Sequence, residues 1–344
     1  MIKISKKEKK MDTVKGKKIL VTGGAGSIGS ILVEKLLEYE PRIVRVFDYD
    51  ETRLVELKRR LGEREDVRHL VGDIKDKDRL RYAVEGIDII FHTAALKHVE
   101  ECEYNPFEAV KTNVVGTQNV IDAAIQEEVE KVVFTSSDKA VNPTNVMGAT
   151  KLLCERLITA ANYYKGARRS VFSSVRFGNV VGSSGSVIPV FLDQIRRGGP
   201  VTLTDPNMTR FIMSGDQAIK LLIKATELAR GGEIFIFKMH AIRISELAEV
   251  MIEKFGKGRV EVKVIGKKPG EKLYEELMTE NEAERALETD EMFIVLPEMK
   301  ELLSTRFEYP GAKKTEARSY RSCDCELLSK ELIEKILNTL RLGI

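Results

Sequence analysis

The sequence KILVTGGAGSIG at residues 18–29 carries the strongest structural signal in the chain. Its first five residues form a short apolar run, its last seven hold three regularly spaced glycines, and apolar residues at helical spacing follow. This order predicts a buried strand, a tight glycine turn and a helix. Glycines in such a turn let a pyrophosphate approach the N terminus of the helix closely. We therefore predict a dinucleotide site at Gly23, Gly26, Ser27, Ile28 and Gly29.

Strand and helix signals alternate in the sequence that follows this turn. Further strands are predicted at residues 43–47, 67–71, 88–91, 131–136 and 173–177. Helices are predicted at residues 51–61, 106–126 and 143–164. This alternation predicts an α/β fold, a Rossmann-like doubly wound parallel sheet with helices on both faces.

The regular alternation ends near Gly178, and shorter elements separated by glycine-rich loops follow. The last part predicts a helix at 244–255, a strand at 260–265 and a terminal helix at 327–342. We divide the chain into a basic tail at 1–17, a dinucleotide-binding domain at 18–178 and about 210–240, and a substrate-binding region at 179–209 and 241–344. The substrate-binding region is expected to pack on the sheet domain.

Composition restricts the class of protein. The 344 residues include 56 Lys and Arg against 53 Asp and Glu, and much of the net charge of +3 lies in the lysine-rich N-terminal tail. A nucleic-acid binder would need a basic stripe over the fold, so no nucleic-acid partner is predicted. Cys102, Cys154, Cys323 and Cys325 lack metal-ligand spacing, and we expect reduced thiols and no metal. Without an apolar segment long enough to cross a membrane, the sequence predicts a cytoplasmic protein with no membrane partner.

The second and third predicted strands end in residues suited to an adenosine. Asp48 would accept hydrogen bonds from ribose hydroxyls and repel a 2′-phosphate, which favours NAD. Tyr49 could lie against the ribose and Arg53 could reach a phosphate, so NADP stays open. Asp73, with Ile74 beside it, follows the third strand and would lie near the adenine.

Polar residues also follow the fifth strand, where the carboxyl ends of a parallel sheet face the ligand crevice. The residues at this strand end are Ser137, Asp138 and Lys139. A later predicted helix places Met147 and Lys151 one turn apart on one face. Adjacent side chains of an extended strand point to opposite faces. Asp138 and Lys139 can therefore act together only if the chain turns at the strand end.

The glycine turn, the Ser/Thr-rich strand end and the helical Lys151 resemble the extended short-chain dehydrogenase/reductase superfamily, whose members normally carry Tyr-x-x-x-Lys. Met147 stands at the tyrosine position, and a thioether has no titratable proton. A more specific resemblance, to the inverting UDP-N-acetylglucosamine 4,6-dehydratases of the polysaccharide-biosynthesis family, covers nearly the whole chain from residue 17. It rests on HTAALKHV at 92–99, TNVVGT at 112–117, SDKAVNPTNVMG at 137–148, GSVIP at 185–189, DPNMTRF at 205–211 and PGEK at 269–272. Both Tyr and Met occur at the Met147 position in that family.

The resemblance implies a reaction in which enzyme-bound NAD(P)+ takes hydride from sugar C4 and returns it to C6. Lys139 would remove the C5 proton, Asp138 would protonate the departing C6 hydroxyl, and reprotonation from the opposite face would invert C5. Ser137 would bond the C4 oxygen, and Lys151 would hold the nicotinamide ribose. The base for the C4 hydroxyl stays open between Lys139 and Asp138 through a relay. We expect a desolvated position beside Lys151 to lower the pKa of Lys139.

The resemblance also assigns residues around the ligands. On the cofactor side these are Ala94, Ala95, Lys97 and Asn113. Lys97 and His98 would line the sugar pocket, although His98 could equally be a packed polar residue. The UDP group would meet Asn179, Ser186, Val187, Arg210 and Glu271.

Two other functions fit parts of the pattern. A nucleotide-sugar 4-epimerase uses the same transient C4 oxidation without elimination, but its usual tyrosine is missing. A non-catalytic NAD-binding protein would tolerate Met147 but would leave Asp138 and Lys139 without a purpose. The resemblance further suggests a homodimer or homohexamer.

Overall fold

The structure, a computed structural model, describes residues 13–182, 186–258, 260–268 and 270–339. The first twelve residues of the predicted basic tail lie outside this part of the chain. The strands are β1 Lys18–Thr22, β2 Ile43–Asp48, β3 Val67–Val71, β4 Ile89–His92, β5 Lys131–Ser137, β6 Val171–Phe177, β7 Asn179–Val180, β8 Val201–Leu203, β9 Thr209–Met213, β10 Ile234–Phe237, β11 His240–Arg243, β12 Val262–Val264, β13 Glu276–Met278, β14 Ala286–Glu288, β15 Met292–Val295, β16 Lys313–Lys314 and β17 Tyr320–Arg321.

The helices are α1 Ser27–Leu36, α2 Glu51–Leu61, α3 Lys77–Val84, α4 Val99–Tyr104, α5 Pro106–Ala109, α6 Gly116–Gln126, α7 Val146–Tyr164, α8 Val187–Arg196, α9 Gly215–Leu228, α10 Ile244–Phe255, α11 Glu280–Ala283 and α12 Lys330–Thr339. A π-helical segment, Val110–Val115, joins α5 to α6, and 3-10 turns lie at Leu37–Tyr39, Asp138–Ala140 and Lys300–Leu302. In the described residues no helix combines the length and the apolar character needed to cross a membrane.

The main sheet has ten strands in the order β3-β2-β1-β4-β5-β6-β10-β15-β14-β16. All pairs from β3 to β10 are parallel, and β15, β14 and β16 join antiparallel. The strand order reverses between β1 and β4, where ligands bind in open α/β sheets. The predicted doubly wound fold is confirmed.

Side chains of β1 show how the sheet is buried on both faces. Ile19 and Val21 pack in one apolar cluster with Leu32 of α1, whereas Leu20 packs in a second cluster with Val120 of α6. A continuous apolar run is what a strand covered by helices on both faces requires. This is why the short run before the glycine turn is a reliable strand signal.

Several predicted element boundaries shift in the structure. The helix predicted at 106–126 is present, but its centre is the π-helical segment. The helix predicted at 143–164 begins at Val146, because the Asn145 side chain accepts a hydrogen bond from Gly148 N (2.8 Å) and caps it. The terminal helix starts at Lys330 rather than 327, and residues 340–342 lie outside the described part of the chain.

The main sheet also extends beyond the predicted domain division. Strands β14, β15 and β16 fall within 241–344, which we assigned to substrate binding, yet they extend the main sheet. The physical reason is that β10 would otherwise leave an open sheet edge, which β15 covers by antiparallel pairing. A separate apolar cluster of α8, α10 and α12 with β8 and β11 forms the smaller part of the molecule.

A buried arginine connects the sheet to the C-terminal part. Arg176 on β6 donates Nε to Glu155 Oε1 of α7 (2.9 Å) and Nη2 to Glu282 Oε1 of α11 (2.7 Å). Nη1 donates to the Leu277 carbonyl of β13 (2.8 Å). Burial would raise the pKa of Glu282, but the Arg176 guanidinium lowers it to about 2. The side chains of Arg176, Glu155 and Glu282 are all buried, so loss of any one of them would leave a buried charge without its partner.

We expect Arg176→Met to lower the free energy of unfolding by about 3–5 kcal/mol near neutral pH, because two buried carboxylates lose their cation. The wild-type contribution of Glu282 is complete above its ordinary pKa and is lost as the pH falls towards 2. The difference between variant and wild type should therefore shrink in acid, where the carboxylates become protonated. Urea unfolding at several pH values measures this. Arg156→Met, at an exposed pair with Glu298, is the control and should cost at most about 1 kcal/mol.

Candidate functional site

The glycines of the turn after β1 let neighbouring backbone segments pack closely. Gly23 has a left-handed φ of 66°, and a Cβ there would lie 2.6 Å from the Ala94 Cα. A Cβ at Gly29 would overlap the Gly23 carbonyl oxygen, so α1 packs directly on the turn. Gly26 precedes α1 and provides no side-chain cap, so the first amides of Ser27 and Ile28 have no such partner. These features fit a dinucleotide pyrophosphate.

Asp48 at the end of β2 holds the glycine turn in place. Its Oδ2 accepts from Ala25 N (3.0 Å) and its Oδ1 from Asp50 N (3.1 Å). Each oxygen retains lone-pair capacity for a ribose hydroxyl. Tyr49 is 70% exposed, and Arg53 pairs with Asp50 (Nε to Oδ2, 3.3 Å). The structure therefore adds a scaffolding contact that the sequence did not predict for Asp48.

The turn after β3 contains the two residues predicted near the adenine. Asp73 accepts from Lys75 N through Oδ1 (2.9 Å) and pairs with the Lys75 ammonium (3.3 Å). The Ile74 side chain is buried in the core, and a Cβ at Gly116 of α6 would overlap it. The Ile74 side chain thus packs in the core, and only the backbone of this residue is able to face an adenine.

Asn113 supports the segment that follows β4. Its Oδ1 accepts from Leu96 N (2.8 Å), and its Nδ2 donates to Leu96 O (3.1 Å) and Thr150 Oγ1 (2.9 Å). These bonds occupy the buried amide, so Asn113 positions the segment containing Ala94 and Ala95 and has no free donor for a cofactor.

Two further residues of this segment are exposed. Lys97 Nζ donates to Ser27 Oγ at the start of α1 (3.3 Å), and burial together with the nearby Arg53 lowers the pKa of Lys97. His98 immediately precedes α4 and is exposed. The alternative of a packed polar residue is therefore wrong for His98.

The chain turns at the end of β5, as a joint role of Asp138 and Lys139 requires. β5 ends at Ser137, and the next three residues form a 3-10 turn. Asp138 Oδ1 accepts from Ser137 Oγ (2.7 Å) and lies 3.0 Å from Lys139 Nζ. A Cβ at Gly148 would overlap the Lys139 carbonyl oxygen, so α7 packs tightly against the turn. We call residues 137–140 the reactive turn.

The expected lowering of the Lys139 pKa is wrong. Burial does act to lower it, but the carboxylates of Asp138 and Glu275 outweigh burial and raise the pKa of Lys139 above its ordinary value. Lys139 Nζ lies 3.7 Å from Glu275 Oε1. Arg210 rather than Lys151 is the nearby cation that opposes this increase.

Lys151 has the environment that we expected for Lys139. Its buried Nζ donates to the Thr135 carbonyl (2.8 Å) and lies 4.6 Å from the centre of the Phe134 ring. Burial lowers the pKa of Lys151 to about 8. Met147, one turn earlier, is buried in an apolar cluster with Cys102 and Ala109. Its side chain therefore packs in the core and supplies no proton chemistry.

Glu275 is a site residue that the sequence reasoning missed. It is 4% exposed and lies between Lys139 and Arg210, with Oε1 3.6 Å from Arg210 Nε. Lys272, three residues before Glu275, donates Nζ to the Val141 carbonyl (2.6 Å). The available signal was the pair of glutamates directly before apolar Leu277, because acidic residues rarely enter a buried strand without partners.

Arg210 and Glu271 lie together beside the reactive turn. Arg210 Nη2 donates to the Lys272 carbonyl (2.8 Å) and lies 3.9 Å from Glu271 Oε1. Glu271 Oε2 accepts from Lys268 N (3.1 Å). The predicted cation and carboxylate for the nucleotide are thus connected to the reactive turn through Glu275.

The other residues predicted to meet UDP flank the start of α8. Asn179 Nδ2 donates to the Phe211 carbonyl (3.1 Å). Ser186 immediately precedes α8, and its buried Oγ has no hydrogen-bond partner among the described residues. Val187 packs partly against the apolar cluster of the smaller part. Residues 183–185, with the first glycine of the GSVIP motif, lie outside the described part of the chain.

Curated proteins similar to this chain carry several different names. A Methanocaldococcus jannaschii protein named as an uncharacterized membrane protein is 55% identical, covering 94% of this chain and 96% of its own length. The UDP-N-acetylglucosamine 4,6-dehydratase (inverting) of Campylobacter jejuni is 39% identical, with 83% and 84% covered. The UDP-glucose 4-epimerase of Rickettsia canadensis is 35% identical, with 94% and 96% covered.

Solved structures show the same fold. Pen from Bacillus thuringiensis matches with a TM-score of 0.89 and 49% identity, covering 94% of this chain and 98% of its own. The UDP-glucose 4-epimerase of Thermus thermophilus, solved in complex with NAD, matches with a TM-score of 0.62 and 25% identity, with 74% and 88% covered.

The family model described as polysaccharide biosynthesis protein matches residues 19–297, which span the glycine turn, the reactive turn and the Arg210–Glu275 contact. With this match and the similar relatives, the resemblance seen in the sequence is confirmed. The chain belongs to the polysaccharide biosynthesis protein family, within the extended short-chain dehydrogenase/reductases.

Proposed function

We propose that the chain is a nucleotide-sugar 4,6-dehydratase that converts UDP-N-acetylglucosamine to a UDP-4-keto-6-deoxy-hexosamine with inversion at C5. The observation that carries the proposal is the 3.0 Å contact between the Asp138 carboxyl and the Lys139 amine at the sheet edge where the glycine turn also lies. Elimination of water needs a base and an acid at neighbouring carbons, and this pair provides both. The dehydratase name of the Campylobacter jejuni relative supports the same reaction.

A nicotinamide dinucleotide is the proposed cofactor. The glycine turn and the uncapped N terminus of α1 would hold its pyrophosphate, and Asp48 would bind the adenosine ribose. We favour NAD over NADP because the buried Asp48 carboxylate would repel a 2′-phosphate. When bound, the cofactor would supply a reversible hydride carrier, which takes hydride from C4 and returns it to C6. Lys151, with a pKa of about 8, would donate to the ribose and add positive potential.

The reactive turn would manage the protons. Elimination needs Lys139 as a neutral base and Asp138 as a neutral acid, and their 3.0 Å contact places both groups at the same point. Lys139 then removes the C5 proton, and Asp138 gives its proton to the leaving C6 hydroxyl. Ser137, which donates to Asp138, would bond the C4 oxygen and provide a relay from the C4 hydroxyl to the carboxylate.

The nucleotide would bind on the other side of the reactive turn. Arg210 would pair with the diphosphate, the Ser186–Val187 start of α8 would add backbone amides, and Glu271 would accept from ribose hydroxyls. Lys97 and His98, both exposed after β4, would face the sugar. Assembly as a homodimer or homohexamer and a cytoplasmic location stay predictions.

A 4-epimerase is the second candidate, because relatives such as the Rickettsia canadensis protein carry that name. Epimerisation needs an acid–base group at the C4 hydroxyl alone. Met147 at the usual tyrosine position is buried among apolar side chains and has no proton to exchange. The Asp138–Lys139 pair, by contrast, would have no task in an epimerase.

Incubation with UDP-N-acetylglucosamine should give a product lighter by one water, with a new C6 methyl signal in proton NMR. Lys139→Ala should lower turnover by at least about a hundredfold, because no other residue replaces the C5 base. Arg156→Met, far from the reactive turn, is the control. An isobaric C4 epimer as the main product would instead support the epimerase, and full dehydratase turnover in Lys139→Ala would exclude Lys139 as the base.

Asp48→Asn should weaken NAD binding and reduce discrimination against NADP, because the amide keeps one acceptor for Ala25 N but removes the negative charge. Titration calorimetry with both dinucleotides measures the change. The ratio of the two dissociation constants should fall by about tenfold. An unchanged ratio would mean that another residue distinguishes a 2′-phosphate from a 2′-hydroxyl. Glu51→Gln, at an exposed carboxylate in the first turn of α2, serves as the neighbouring charge control.

A further inference from the structure

Glu275 brings a second buried carboxylate to the Lys139 ammonium. Its Oε1 lies 3.7 Å from Lys139 Nζ, while Asp138 Oδ1 lies 3.0 Å from the same nitrogen. The backbone of Glu275 is fixed by Ser322, whose N donates to the Glu275 carbonyl (2.8 Å) and whose Oγ accepts from Glu275 N (3.0 Å). The backbone that carries this carboxylate is therefore held in position by Ser322.

Each of the two carboxyl groups keeps one oxygen without a partner. Asp138 Oδ2 and Glu275 Oε2 are buried and have no hydrogen-bond partner within the described ranges. A buried, unpaired carboxylate oxygen is costly, and the cost falls when the group binds a proton. Burial of these oxygens therefore favours a state in which one of the two carboxyl groups carries a proton.

The charged groups that face Glu275 come from three elements. They are Asp138 and Lys139 from the reactive turn, Arg210 from β9, and Lys272 from the preceding loop. Burial and then the Asp138 carboxylate raise the pKa of Glu275, and the three cations oppose this without reversing it. Glu275 is thus easier to protonate than an ordinary glutamate.

We propose that Glu275 is a positioning residue that acts through Lys139, taking a proton from Nζ and leaving the amine free as a base, while Asp138 obtains the proton it delivers from the C4 hydroxyl through Ser137. This inference rests on the proposed dehydratase. The transfer requires Nζ and Oε1 to approach from 3.7 Å to hydrogen-bond distance. An N–H bond of Lys139 then breaks and an O–H bond forms at Glu275 Oε1, with no change in the total number of protons or electrons. Asp138 then serves as the acid without first drawing its proton from the base.

The test compares Glu275→Gln with Glu276→Gln in the full-length protein labelled with [ε-¹³C]lysine. The Lys139 signal is assigned by its loss in Lys139→Met, and its titration needs no substrate. In Glu275→Gln the midpoint should fall by about one to three pH units, because one of two nearby carboxylates is gone. Glu276 instead accepts from Asn142 (2.6 Å) and Arg321 (3.2 Å), so its variant should keep the wild-type midpoint.

The elimination rate in Glu275→Gln should fall by about tenfold or more at neutral pH, because glutamine accepts no proton. An unchanged Lys139 midpoint, an equal shift in Glu276→Gln, or a wild-type elimination rate would each overturn the proposal.

If Glu275→Gln does not fold, Lys139→Met labelled with [δ-¹³C]glutamate provides the second measurement. The Glu275 carboxyl should then titrate at a higher pH than in the wild type, and an unchanged value would refute the coupling.

These results separate the two proposals. A shifted midpoint in a protein that leaves UDP-N-acetylglucosamine unchanged would support the coupling and reject the dehydratase. Turnover of that sugar with no coupling would retain the dehydratase and reject the role of Glu275.

Discussion

The buried ion pairs of Arg176 fix how the C-terminal segment meets the main sheet. A buried guanidinium requires several acceptors, and here they come from α7, α11 and the Leu277 carbonyl of β13. Glu282 and Leu277 lie about a hundred residues beyond Arg176 in sequence. The cation therefore pins the C-terminal segment to β6, the neighbour of the strand that carries the reactive turn. Glu275 lies two residues before Leu277, so its position depends on the same contact.

The loop before β13 and the first residue of that strand contact the two residues that follow the reactive turn. Lys272 donates to the Val141 carbonyl (2.6 Å), and Glu276 accepts from the Asn142 side chain (2.6 Å). Asn142 adopts a left-handed φ of 44°, which is uncommon for a residue with a side chain. Such a conformation persists where surrounding contacts hold it. The reactive turn is thus local in sequence, but distant residues hold the two residues that follow it.

Local patterns explain what the sequence could predict. The glycine turn, the parallel strands and the turn at Asp138 and Lys139 each follow from spacing, side-chain type and the end of a strand. The antiparallel strands β14 to β16 were not assigned to the sheet, because short apolar runs do not show which sheet edge they cover. The contact of Glu275 with Lys139 joins residues that are far apart in sequence, and no local pattern encodes it. The hydrogen bonds of the Asn113 amide could not be predicted either, because Leu96 and Thr150 are 17 and 37 residues away in sequence.

The two site lysines show why residue type alone does not determine chemistry. Lys139 and Lys151 are both at least three-quarters buried, so burial acts on both to disfavour the ammonium. Around Lys139 two carboxylates reverse that effect, whereas Lys151 faces a carbonyl and an aromatic ring, which leave its pKa near 8. A lysine held as a cation needs a nearby proton acceptor before it acts as a base. The proton chemistry of the reactive turn is therefore decided by the carboxylates around Lys139 and not by its burial.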